Sequence, residues 1–272
     1  MESEYIKLLC VCLQSESRKT RNSTVLSSFG HTLEHDLKDG FPLLTTKKMF
    51  FKGIVEELAW FLRGSTDVNE LREKGVHIWD KNTKDKNYDA GPVYGFQWRH
   101  FGAEYVDCKT DYTDKGVDQI KYMIDLIKNN PSSRRMFLSG WNPFCQEKMS
   151  LPPCHVSYQF YIRKGRLSCQ MYQRSADVFL GLPFNIASTA LLVHLIAHEC
   201  DLQPGKIRLC LGDVHLYSNH VGAALSQIIR QPDPFPSLEI EREKDGLRNV
   251  EMKQISVKNY NPHGAIKAEM VA

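Results

Sequence analysis

VSYQFYIRKGRLSCQMYQ, residues 156–173, carries the plainest structural signal in the chain. Val156, Tyr158, Phe160 and Ile162 alternate, so an extended backbone would set them on one side. Lys164-Gly165 then supplies a turn, and Leu167, Cys169 and Met171 resume the alternation. A period of two interrupted by a glycine turn predicts an antiparallel hairpin. Upstream of it, residues 135–141 read as another strand. Downstream, residues 186–200 are apolar almost all round, the pattern of a buried helix. Residues 206–211 then read as a strand, followed by a polar run over 212–220.

The rest of the chain supplies helices to cover such a sheet. Residues 3–13 read as a short apolar-rich helix, and 25–37 as a strand or hairpin opening with Gly30 inside it. Ile54, Leu58, Phe61 and Leu62 repeat at helical spacing within residues 53–62, and Gly64 can end that helix. A more polar helix over 67–74 follows, with Gly75 after it, and then a polar loop over 80–91. Ile120, Met123, Ile124 and Ile127 share one face of a helix over 117–128, ahead of Pro131. Residues 223–230 read as helical. The tail mixes short strands, and its charged run, 239–248, reads as a solvated hairpin. Nothing has the composition of an interdomain linker. The predicted fold class is therefore α/β (α+β), a single domain over 1–272 built on a large twisted sheet.

Composition narrows the function classes. Hydrophobic residues make up 42% and charged residues 25% of the 272, a balance that can bury a core. No apolar stretch approaches the roughly 20 residues that span a bilayer, so no membrane partner is expected. MESEYIKLL carries acids early and lacks a basic region followed by an apolar one, so no secretory leader is read and a cytoplasmic location is expected. A net charge of +3 does not call for nucleic acid and does not deter an anionic small substrate. The eight cysteines are scattered without a CxxC pair. Cys10, Cys169, Cys200 and Cys210 lie in apolar patterns and read as small core residues in a reducing compartment. His215 and His220 are five apart and do not share a helix face, so no metal is expected.

Three segments carry chemistry. In Leu151-Pro152-Pro153-Cys154-His155, two prolines fix the backbone ahead of a cysteine that begins a strand. A free thiol has a reference pKa of about 8.5, so a nucleophilic cysteine needs a cation, a helix N-terminus or a base beside it. The alternative is an ordinary core cysteine. Gln173-Arg174-Ser175-Ala176-Asp177 ends the hairpin with an anion clamp and a carboxylate, or with a solvated turn. In Gly212-Asp213-Val214-His215-Leu216-Tyr217-Ser218-Asn219-His220, an extended backbone puts Asp213, His215 and Tyr217 on one face, a set that suits a sugar or a plain polar sheet edge. Arg134-Arg135 is a pair able to fork onto phosphate, or simple surface charge.

Read together and in order, these segments closely resemble the thymidylate synthase family. The motifs are FPLLTTKK (41–48), EELAWFLRGST (56–66), IWD (78–80), GPVYGFQWRHFGAEY (91–105), SRR (133–135) and WNP (141–143). They continue with LPPCH, QRSADVFLGLPFNIAS (173–188), GDVHLYSNH and NYNPHGAIKAEMVA at the end. The resemblance covers the chain from about Gly30 onward. It implies a mixed sheet covered by helices, with one sheet face forming a homodimer interface. It also implies methylation of dUMP to dTMP with methylene-tetrahydrofolate as cosubstrate and no metal.

The resemblance further implies roles. Cys154 is the nucleophile at C6 of the uracil ring, and Arg174 stabilises its thiolate while binding phosphate. Ser175 joins the phosphate site with Arg21, and Arg134 and Arg135 reach it from the partner subunit. His215 and Tyr217 hold the deoxyribose, and Asn185 reads the uracil edge. Ile78, Trp79, Asn82, Leu182 and Phe184 line the folate wall, Asp177 binds the pterin, and Lys47 meets the glutamate tail. Glu57 and Tyr94 organise water and proton transfer, and the last residues, Met270 to Ala272, close as a lid.

The chain departs from the family pattern in places. The loop Arg21-Asn22-Ser23-Thr24-Val25-Leu26 is one residue short and lacks the Gly-Thr repeat. Thr189 replaces a frequent Tyr, Gly264 follows His263 where proline is usual, and Ala272 ends the chain where Val is common. Besides a dCMP-acting relative, disfavoured because relatives that take cytosine carry Asp where this chain has Asn185, two other readings compete. One is a pyrimidine nucleotide hydroxymethylase of the same superfamily, disfavoured by Trp79 and the retained tail. The other is an RNA-binding regulator, disfavoured by the low net charge.

Overall fold

The computed structural model describes residues 1–21 and 23–271. In chain order its elements are α1 (Glu2–Gln14), β1 (Ser17–Lys19), β2 (Thr24–Asp36), α2 (Phe51–Arg63), α3 (Asn69–Glu73), α4 (Asp80–Thr83), α5 (Tyr94–His100) and α6 (Gln119–Asn129). There follow β3 (Phe137–Ser139), β4 (His155–Arg163), β5 (Arg166–Asp177), α7 (Gly181–Glu199), β6 (Gln203–Tyr217), α8 (Val221–Ile228), β7 (Ser237–Ile240) and β8 (Ile255–Lys258). The hairpin of residues 156–173 is β4–β5. Its turn has Lys164 at φ 52° and Gly165 at φ 70°, the paired positive φ that matches the twist of the flanking strands.

The sheet runs β1-β2-β6-β5-β4-β3; among the described residues only β5 and β6 are parallel, so it is mixed. One rung crosses five strands as Leu138, Tyr158, Met171, Leu209 and Leu33, all buried. Each leucine there contributes roughly 2 kcal/mol by leaving water. The adjacent rung, Phe137, Gln159, Gln170, Arg208 and Glu34, points to the opposite face. That face is polar and open, and Phe137, Tyr161 and Tyr172 stand exposed on it.

The helices pack on the buried face. Tyr5, Leu8, Leu9 and Cys12 form the buried stripe of α1. At its first turn the Glu2 carboxylate accepts from Thr45 N–H, Thr46 N–H and the Thr45 hydroxyl, which fixes the segment before α2. α2 is capped by Gly64 in the left-handed region at φ 82°. Asp118 caps α6 by accepting from Lys121 N–H at 2.9 Å. α7 is long and apolar enough to cross a membrane by length and composition, contrary to the reading that no such stretch exists. Most of its residues are buried against the sheet and α2.

Other readings also change. Residues 80–91 are not simply a loop, because α4 and a 3-10 turn at Lys84–Lys86 lie within them. The strand at 135–141 narrows to β3. The polar run 212–220 continues β6 as far as Tyr217, because Asp213, His215 and Tyr217 pair with β2. The charged run 239–248 is not wholly solvated. Arg242 is buried and paired with the buried Glu199 of α7 at 3.3 Å, which ties the tail to the core. All eight cysteines are free, but Cys10, Cys200 and Cys210 are only half-buried, while Cys12, Cys145 and Cys169 are buried.

Candidate functional site

Where β5 and β6 end side by side, the polar groups they carry converge. This is the carboxyl end of the one parallel pair, where the next helix, α7, begins. A cavity of about 370 Å³ opens there, lined by Arg18, Arg21, Arg174, Ser175, His215 and Tyr217 among others. The volume is within the range of small-ligand sites. A larger cavity, about 800 Å³, lies between α2, α5 and the loop before α6. Paired charges such as Arg63–Glu70 and Arg99–Asp118 line it, and none of the predicted nucleophile, sugar or phosphate residues does.

Cys154 lies just before β4, half-buried, and its backbone is bonded to Arg174, which lines the smaller cavity. Its N–H donates to the Tyr94 hydroxyl at 2.8 Å, and its carbonyl accepts from Arg174 N–H at 2.9 Å. Burial pushes the Cys154 thiol up from its ordinary value, while the Arg174 guanidinium and the Tyr94 hydroxyl pull it down. The prolines serve through their carbonyls. Arg174 Nε donates to Pro153 O at 2.9 Å and Nη2 to Pro152 O at 2.8 Å, and the guanidinium faces Trp141. The cation is thus fixed by the same short segment that fixes the thiol.

Behind the thiol stands an aromatic wall. Tyr94 stacks on His155 with ring centroids 4.3 Å apart and packs on Phe61, itself edge-on to Trp79. Burial lowers His155 to about 3, so its ring is neutral, and its Nδ1 pairs with the Tyr158 hydroxyl at 2.7 Å. Trp79 Nε1 donates to Glu57 Oε1 at 2.7 Å. Burial raises the Glu57 carboxyl to about 7, only partly offset by that bond, so it holds a proton for about half the time at neutral pH.

On the sheet, His215 Nδ1 lies 2.9 Å from Asp213 Oδ1 and its ring meets Tyr217 edge-on. Asn185, the fifth residue of α7, accepts from Gln173 Nε2 at 2.9 Å. Asp177 Oδ1 accepts from Phe179 N–H and Leu180 N–H, which shapes the entry to α7. Ile78, Asn82 and Phe184 are half-buried.

Several predicted residues stand elsewhere. Leu182 is fully buried in the core. Lys47 is buried too, donating to Phe179 O and lying over the Phe179 ring, and burial lowers it to about 8. Arg134 and Arg135 are exposed on the loop before β3 and do not line the cavity of their own chain. Ala272 lies outside the described residues.

The tail leading to it is pinned through its carbonyls. Arg230 Nη1 donates to Gly264 O at 2.7 Å, His220 Nε2 to Glu269 O at 2.7 Å and Lys81 Nζ to Met270 O at 2.8 Å. Sequence reasoning missed Gln173, His155 and Arg18 as members of the site. Gln173 and His155 flank named motif residues, the only signal that pointed to them.

Comparison with known proteins identifies the family. The thymidylate synthase family model matches residues 3–272. The chain is 49% identical to a bifunctional dihydrofolate reductase-thymidylate synthase of Paramecium tetraurelia, over 99% of this chain and 61% of that protein. It is 48% identical to a bifunctional protein of the same name from Zea mays, over 99% of this chain and 54% of that one. The chain thus spans little more than half the length of these relatives. Against the thymidylate synthase of equine herpesvirus 2 it is 48% identical over 99% of this chain and 98% of the viral protein. A family match along almost the whole chain, joined to near-half identity with a viral protein of matching length, has one reading: the chain belongs to the thymidylate synthase family.

Proposed function

We propose that this chain is a methyltransferase that converts dUMP to dTMP with methylene-tetrahydrofolate, using Cys154 as nucleophile. The observation that carries the reading is the convergence on Cys154. The Arg174 cation and the Tyr94 hydroxyl both act on one half-buried thiol, and Arg174 also lines the phosphate- and sugar-suited cavity.

The residues then have definite work. Cys154 Sγ forms a bond to C6 of the uracil ring, which sends the C5–C6 π pair toward C5 and the ring carbonyl. Arg174 favours the thiolate by its charge. Asn185, its Oδ1 already fixed by Gln173, presents its amide to the uracil edge. Methylene-tetrahydrofolate supplies the one-carbon unit and then a hydride when bound, leaving as dihydrofolate. C5 gives up its proton after the new carbon–carbon bond forms, and Glu57 and Tyr94 are the groups assigned here to move that proton. Release of Sγ from C6 restores the ring and the enzyme.

The folate wall fits in part. Ile78 and Phe184 are half-buried and offer apolar surface, whereas Trp79 is buried. Asp177 takes both of its N–H donors on Oδ1, which leaves Oδ2 for a pterin N–H. Lys47 would have to turn outward to meet a glutamate tail.

A homodimer with shared sites belongs to this proposal. The open sheet face with Phe137, Tyr161 and Tyr172 suits a second copy. Arg134 and Arg135, exposed and outside their own cavity, suit delivery to the partner's phosphate site. Eight free thiols suit a reducing, cytoplasmic location.

Product identification tests the assignment. Incubation with dUMP and methylene-tetrahydrofolate should give methylated nucleotide and dihydrofolate in equal amounts. A hydroxymethylated product with tetrahydrofolate released unoxidised would put the hydroxymethylase reading in its place.

A further inference from the structure

The four-residue connection after β1 brings a second arginine from the same hairpin to the nucleotide cavity. β1 pairs with β2 so that Arg18 is opposite Val25, and Val25 is opposite Tyr217 of β6. Cross-strand partners share a face. Arg18 is therefore on the same side of the sheet as Tyr217, and as Asp213 and His215, which alternate with it. Its guanidinium forms an ion pair with Asp213 Oδ2, while Asp213 Oδ1 holds His215 Nδ1. Arg18, Arg21 and Arg174 all line the one cavity.

We infer that Arg18 is a phosphate-binding residue of this site, stored on Asp213 until an anion arrives. The inference rests on the nucleotide reading above and extends it to a residue that none of the recognised motifs contains. Charge supports it. Three guanidinium groups and one carboxylate of this chain line the cavity, a net positive wall that suits a phosphate dianion. Geometry supports it as well. Arg18 Nη2 already donates to Asp213 Oδ2 at the cavity wall, and a guanidinium that donates to a carboxylate can donate to a phosphate oxygen. The hairpin is tight: Thr20 N–H donates to Ser23 O at 2.8 Å, and Ser23 N–H returns to the Thr20 hydroxyl at 3.3 Å. Arg18 on β1 and Arg21 just after it line the cavity together with Arg174.

The test measures three ligands on wild type, Arg18→Ala and Arg18→Lys. Inorganic phosphate is followed by ³¹P NMR line broadening, and dUMP and deoxyuridine by calorimetry. Arg18→Ala should weaken phosphate and dUMP about tenfold, the scale of one lost charge-assisted contact, and leave deoxyuridine, which has no phosphate, unchanged. Arg18→Lys should recover part of the loss. In kinetics, KM for dUMP should rise while KM for the folate stays put.

Phosphate and dUMP binding that is indifferent to Arg18→Ala overturns the inference. An equal loss of dUMP and deoxyuridine overturns it too, since it would mean that Arg18 acts only by holding Asp213 and His215. If wild type binds phosphate in an Arg18-dependent way but fails to bind dUMP, the nucleotide reading falls and the anion site stands.

Discussion

Glu57→Gln should flatten one pH dependence of stability and slow catalysis. Burial raises the Glu57 carboxyl from 4.5 to about 7. At about 1.4 kcal/mol per unit, that is roughly 3 kcal/mol of cost for ionising it in place. The unfolded chain releases this proton near 4.5 and the folded chain near 7. Between those values only the folded state holds the proton, so stability falls as pH rises and levels off above about 7. Below 4.5 both states are protonated and the cost disappears. Glutamine is neutral throughout and still accepts from Trp79 Nε1, so the packing is kept.

Urea unfolding of both proteins at fixed concentration, from pH 4.5 to 8, reads the effect. The wild type should lose about 3 kcal/mol relative to Glu57→Gln across that range. Fixed concentration matters because an assembly would make apparent stability depend on it. The same variant should lose roughly a hundredfold or more in kcat, the scale of a positioned proton-transfer group. A stability difference that stays constant with pH would show that Glu57 is ionised in the folded protein, and the reasoning would fail.

Two further outcomes follow from the site. Arg135→Ala and Cys154→Ala should each be inactive alone, yet mixed and reassociated subunits should regain about a quarter of wild-type activity. Random pairing makes half the dimers mixed, and each of those has one whole site of two; heterodimers confirmed by mass and still inactive would refute shared sites. Asn185→Asp should move the dUMP-to-dCMP ratio of kcat/KM by about a hundredfold toward dCMP, because a site matched by polar groups penalises the partner that leaves them unpaired. An unchanged ratio would mean the uracil edge is read by another group.

The elements legible in the sequence were those with a clean period. The β4–β5 hairpin showed its alternation and its glycine turn, and α7 showed an unbroken apolar run. α5 gave no such signal. Tyr94 to His100 are all buried, so a seven-residue helix enclosed on every side has no amphipathic stripe to read. α4 is four residues long, too short for any helical pattern. Arg242 shows a different limit: a run of charges looks solvated whether or not one of them finds a buried Glu199.

At the site, motif order named Cys154, Arg174, Asn185 and His215. What it left out is the support behind them. His155 stacks under Tyr94, Gln173 fixes the Asn185 amide, and Arg18 is brought in only by strand register. Such roles depend on contacts across the sheet that no single segment contains. Lys47 and Leu182 mark the reverse case, motif residues whose side chains face the core.

The tail follows a logic of spacing more than of spelling. Arg230, His220 and Lys81 each grip a carbonyl oxygen, at Gly264, Glu269 and Met270. Every residue offers that oxygen, proline included, so Gly264 in place of the usual proline costs none of these bonds. The residues free to drift are therefore those of the tail itself, while the gripping side chains are constrained. An exchange of tail side chains keeps all three carbonyls where they are. Removal of one residue between Gly264 and Glu269 moves two of them out of step with their donors, and a strap that tolerates rewriting does not tolerate shortening.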